Sequence, residues 1–113
     1  MTWNIQYTKT AENDLNDIYD HIAYELLEPG IAEKQINRIM DTADSLDFMP
    51  LRHRLCDYEP WRSMGWHCVP VDNYIIFYFP NESDNIVSIM RIMYGGRDLE
   101  KHLSEENLNT EKN

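Results

Sequence analysis

The feature that most constrains this chain is a change of hydrophobic period near its middle. Its first half carries two apolar stripes, Ala11, Leu15, Ile18, Tyr19, Ile22, Ala23 and Leu26, then Ala32, Ile36, Ile39, Met40, Ala43 and Leu46. Steps of three and four residues put each set on one face of a helix. Glu28-Pro29-Gly30 separates them, and two helices joined by so short a break read as an antiparallel hairpin. From Met64 the pattern turns to β. Residues 65–71 and 74–79 read as strands joined by Asp72-Asn73, residue types that tolerate a tight hairpin turn. Residues 86–94 (IVSIMRIMY) are nearly all apolar, as a central strand requires. Before the helices, Trp3, Ile5 and Tyr7 alternate with polar residues as a half-buried strand does, and Thr8 or Thr10 is placed to cap the first helix.

The order β-α-α-β-β-β predicts an α+β fold: a small antiparallel four-stranded sheet packed on an N-terminal helix hairpin, with a short helix over residues 97–108. The meander, with the first strand at an edge, leaves the face away from the helices partly open. Leu15, Ile18, Ile22, Ile36, Ile39 and Ala43 are expected to be buried together. The segment 50–63, with two prolines and no clear period, reads as a loop with a short strand near residues 55–58. With 113 residues there is room for one domain, assigned to 1–103, with 104–113 as a flexible tail.

Charge and cysteine content narrow the function classes. The net charge of −10 disfavours nonspecific grip on a nucleic-acid backbone. The acid is concentrated: residues 10–48 hold ten acidic residues against Lys34 and Arg38, whereas five of the six arginines lie in 49–103. An anion site is therefore expected in the second half. No apolar run approaches a membrane span, and the polar start Met1-Thr2-Trp3-Asn4 does not read as a secretion signal. Cys56 and Cys68, with no CxxC pair, do not make a disulfide framework, so the expected compartment is the cytoplasm. His53-x-x-Cys56 and His67-Cys68 suggest zinc, but adjacent strand residues point to opposite faces, and no metal or cofactor is expected.

Four stretches in order carry a family resemblance: Y-T-x-T-A-x-x-D-L-x-x-I-Y-x-x-I from Tyr7 to Ile22, S-L-x-x-x-P from Ser45 to Pro50, V-D-N-Y-I-I-F-Y from Val71 to Tyr78, and I-x-R-I-x-Y-G-G-R-D from Ile89 to Asp98. Together they resemble the RelE/ParE toxin superfamily over about residues 3–103. The resemblance implies the toxin of a type II toxin–antitoxin pair, held inactive by a cognate antitoxin, with a heterotetramer as one expected assembly. RelE-like members cleave mRNA in the ribosomal A site without metal; ParE-like members poison DNA gyrase. The expectation is ribosome-dependent mRNA cleavage, with gyrase inhibition, or a non-toxic member that still binds antitoxin, as alternatives. Where family members usually carry an arginine near the second strand this chain has His67, and where many carry a histidine at the end of the last strand it has Tyr94.

Metal-free RNA cleavage needs a proton acceptor, a proton donor and cations for the developing phosphorane charge. The candidate catalytic residues are His67 and Tyr94 for the protons and Arg91 and Arg97 for the charge, with Glu59 as an outside base. Each has a plainer reading: a strand histidine satisfied by a backbone group, a core-edge tyrosine, ion-paired arginines. In a regular strand Arg91 and Tyr94 would point to opposite faces. Tyr58, Trp61 and Trp66 offer rings either for base stacking or for packing over the core. The antitoxin tail is expected to bring apolar and acidic groups to the surface around His67, Arg91 and Arg97.

Overall fold

A computed structural model describes residues 2–95. The elements are β1 (Asn4–Tyr7), α1 (Lys9–Asp20), α2 (Pro29–Asp44), β2 (His67–Val71), β3 (Tyr74–Asn81) and β4 (Ile86–Tyr94). The expected C-terminal helix, the tail and Arg97 fall outside the described residues. Thr8 caps α1: its hydroxyl accepts from the Ala11 N–H at 3.1 Å and donates to the Ile89 carbonyl at 2.8 Å, so one side chain starts the helix and ties it to β4. A π-helical turn, His21–Glu25, extends α1, and Pro29 occupies the first turn of α2, where a missing N–H costs nothing.

The strand order is β1-β4-β3-β2, with β4 central as its composition requires. β2, β3 and β4 form the expected antiparallel meander, but β1 pairs with β4 in parallel, so the sheet is mixed rather than wholly antiparallel. Period-two alternation fixes a strand's faces and not its direction. The whole stretch from α1 to β3 serves as the long crossover that a parallel pair needs. β2 is an edge strand, and its exposed Pro70 sits where no ladder bond is lost.

The helices cover one face of the sheet. Ala11, Ile39, Ala43 and Leu46 meet Val69, Val71, Ile76, Tyr78, Val87, Ile89 and Ile92 there. Of the expected core, Ile39 and Ala43 are fully buried in this layer, and Leu15 and Ile18 pack partly buried against it. Ile22 is buried with Ala23 and Ala32 in a separate cluster at the hairpin, while Ile36 is half-buried.

The other face is not left open, contrary to expectation. Cys56, Trp66, Cys68, Phe77 and Met93 form a second layer, with Tyr58, Trp61, Ile75, Phe79 and Met90 packed on it. β3 is apolar on both faces, so its second face also has to be shielded from water. The connection between α2 and β2 supplies the cover, pairing Leu55 with His67 and turning into β2 at Gly65, whose φ of +83° suits glycine.

Candidate functional site

β4 carries a bulge. Phe77 pairs with Arg91 and Tyr78 with Ile89, leaving Met90 as the extra residue. The bulge resets the alternation so that Ile89 and Ile92 both face the helices while Met90 and Met93 join the aromatic layer. It lies before Arg91, however, and the register beyond it is regular, with Arg91 opposite Phe77 and Tyr94 opposite Tyr74. Arg91 and Tyr94 therefore leave the strand on opposite faces.

Arg91 meets an acid contributed by α1. Its Nε donates to Asp14 at 2.9 Å and its Nη2 at 3.4 Å, with the two side chains 21% and 13% exposed. The same carboxylate accepts the Ile92 N–H at 2.9 Å, so Asp14 both balances the guanidinium and satisfies a strand amide. Asp14 is 77 residues away, and nothing in the local pattern pointed to it.

His67 opens β2 on the helix-facing side. Its ring stacks on Tyr78 with centroids 5.6 Å apart, and its Nδ1 lies 2.8 Å from the His53 carbonyl. A carbonyl only accepts, so Nδ1 carries the proton and Nε2 is the nitrogen left to exchange one. His53 sits edge-on to the same tyrosine. Burial, followed by the charges of Arg52 and His67, holds His53 below the usual imidazole range. The Tyr78 hydroxyl is buried, donates to the Pro50 carbonyl at 2.6 Å, and has its pKa pushed well above the ordinary phenol value by burial. Arg52 spends donors on the carbonyls of Ser45, which caps α2, and of Phe48 and Met49 in the turn that follows it.

Tyr94 stands at the other end of the sheet, 58% exposed, with its ring edge on Tyr74. Four residues of β3 separate Tyr74 from Tyr78 and hence Tyr94 from His67, roughly 13 Å of strand. The structure thus does not bring His67, Arg91 and Tyr94 to one place. Glu59, in the exposed turn before β2, accepts from the Ser63 hydroxyl.

The loop aromatics are spent on packing. Trp61 stacks on Trp66 at 5.0 Å and meets Phe77 edge-on at 5.0 Å. Cys56 and Cys68 are buried in that layer, and burial raises both thiols. His67 and Cys68 fall on opposite faces of β2, as alternation requires. Among the described residues no three His, Cys, Asp or Glu side chains are grouped as metal ligands.

One cleft was not anticipated. A cleft of about 630 Å³ lies between the hairpin tip and the ends of β3 and β4, walled by Ile18, Ile22, Leu26, Ile31, Tyr74 and Tyr94. Its sequence signal was Leu26 and Ile31, apolar residues flanking the Glu28-Pro29-Gly30 break, where a solvent-facing turn would be polar.

Comparison with known proteins sets this geometry in context. The family described as ParE toxin of type II toxin-antitoxin system, parDE, matches residues 5–99. No curated protein matches the sequence significantly. Among solved structures, the chromosomal ParDE system of P. aeruginosa superposes with a TM-score of 0.69 at 20% identity, covering 84% of this chain and 98% of that one. The RelBE2 toxin–antitoxin complex of Mycobacterium tuberculosis gives 0.59 at 21% identity, covering 83% and 99%. The E. coli toxin RelE in the free state, carrying two arginine-to-alanine substitutions, gives 0.62 at 7% identity, covering 97% and 98%. At these identities the structural likenesses show the fold.

Proposed function

The chain belongs to the ParE toxin family of type II toxin–antitoxin systems, and from that premise we propose that it acts by binding, as an inhibitor of DNA gyrase neutralised by a cognate antitoxin. The observation that carries this reading is the dispersal of the three candidate cleavage residues that are among the described ones. Arg91 is engaged by Asp14, while His67 and Tyr94 lie at opposite ends of the sheet. Phosphorane stabilisation needs preorganised donors around one reacting phosphate, and effective proton transfer needs its group within hydrogen-bond reach. Inhibition by docking needs no such convergence. The net charge of −10 also suits a protein surface better than ribosomal RNA.

A second reading, ribosome-dependent mRNA cleavage, rests on the corner where His53 and His67 meet beside Arg52. Purified protein assayed in parallel for gyrase supercoiling and for mRNA cleavage on programmed ribosomes separates the two. Lost supercoiling with intact mRNA is expected. Cleavage that disappears in His67→Ala would establish the second reading instead.

A further inference from the structure

The cleft at the hairpin tip leaves large apolar side chains open to water: Leu26 is 56% exposed, Ile31 54% and Tyr94 58%. The backbone that presents the first two is hydrogen-bonded, Leu26 N–H to the His21 carbonyl at 3.1 Å, Glu28 N–H to the Ile22 carbonyl at 3.0 Å and Ala32 N–H to the Glu28 carbonyl at 2.9 Å. An ordered backbone holding apolar groups around a concave floor marks a surface that something covers.

The chain leaves the sheet at this same cleft. Tyr94, the last residue of β4, and Asn73 are both among its walls, and the Gly95 N–H donates to the Asn73 carbonyl at 2.7 Å. Gly95 passes so near Ile75 that a Cβ there would stand 3.0 Å from that side chain. The point from which residues 96–113 continue is therefore held at the cleft's mouth, and Gly95-Gly96 supplies the backbone freedom for a reversal there. Leu99 is four residues on from Gly95, within about 14 Å of it even along a fully extended chain. Leu99 and Leu103 have the spacing that sets two side chains on one helix face, while Lys101, Ser104 and Glu105 fall on the opposite face.

We infer that a short amphipathic helix within residues 97–108 folds back over the cleft and seats Leu99 and Leu103 against Leu26, Ile31 and Tyr94. Tethering selects this occupant. A segment joined at the mouth meets the cleft at an effective concentration of roughly millimolar, which a free ligand or a second copy of similar affinity does not reach in dilute solution. Leu103 lies beyond residues 5–99, the stretch the family matches, so this cover belongs to the chain itself. Any other ligand of the cleft has to displace the tail first. The inference stands apart from the choice between gyrase and ribosome.

The test uses the full chain with labelled leucine and isoleucine methyl groups. Nuclear Overhauser contacts are expected from the Leu99 and Leu103 methyls to the Tyr94 ring and to Ile31, and their absence would overturn the proposal. In an equal mixture of labelled and unlabelled chain, contacts that cross between molecules would assign them to a second copy's tail and overturn it too. A second arm titrates the apolar dye anilinonaphthalene sulfonate into the full chain, into Leu99→Ser with Leu103→Ser, and into those two combined with Leu26→Ser and Ile31→Ser, circular dichroism checking that each folds. Dye fluorescence is expected to rise severalfold when the tail loses its leucines and to fall back when the cleft loses its own apolar groups. Fluorescence unchanged in the tail variant, or a gain that survives in the combined variant, would show that the tail does not cover this cleft.

Discussion

Arg91 shows how much a single residue conceals from sequence reading. A charge inside an apolar strand demands compensation, and that much was legible. Which acid supplies it depends on where α1 starts relative to β4, a tertiary fact fixed by Thr8 bridging both. Because Asp14 also holds the Ile92 amide, Asp14→Ala is expected to cost about 2–3 kcal/mol in urea unfolding, and more than Arg91→Ala. Equal small losses, under about 0.5 kcal/mol each, would show the pair to be incidental. Tyr7 gives a second residue-scale expectation. Its hydroxyl is buried without a hydrogen-bond partner among the described residues, and burial, then the charge of Asp44, pushes its pKa up to about 12. The folded state therefore holds the phenol proton more tightly than the unfolded chain does. Its contribution is complete below about pH 10 and is lost as pH rises toward 12. Tyr7→Phe should leave neutral-pH stability within about 1 kcal/mol and flatten the alkaline decline measured by thermal melts. An unchanged alkaline slope would contradict that burial.

At the scale of elements the periodicities were informative. Both helices and all four strands stand close to where the apolar stripes put them, because burial selects the same faces that the pattern displays. The parallel pairing of β1 and the bulge at Met90 were not legible, since neither changes the local alternation until the partner strand is known. The supposed open face failed for a readable reason: Ile75, Phe77 and Phe79 line the side of β3 away from the helices and had to be covered. The turn between the helices carries its own cost. Leu27 adopts φ +58° while its side chain is 78% exposed, so it bears left-handed strain with little burial in return. Leu27→Gly is expected to gain about 0.5–1 kcal/mol, raising Tm by several degrees in calorimetry. A lower Tm would mean that the leucine packs more tightly than its exposure indicates.

For the molecule as a whole, the division of charge matters more than the total. The acidic helix hairpin and the arginine-bearing sheet half meet through Arg91–Asp14 and Arg38–Asp72, each an ion pair joining a helix to the sheet or to its hairpin turn. The family was legible in the ordered stretches from Tyr7 to Asp98, because they record the fold's strand and helix starts. The candidate cleavage site was less so: residues adjacent in motif are dispersed once the sheet closes. The central claim is that this toxin acts by occupying its target rather than by turning over a substrate. The most direct measurement is DNA supercoiling by purified gyrase as the toxin is titrated from far below to above the enzyme's concentration. The account predicts activity that falls in proportion to added toxin and vanishes near equivalence, with recovery when antitoxin is added. Undiminished supercoiling at excess toxin, while substoichiometric toxin cuts mRNA on ribosomes, would contradict it.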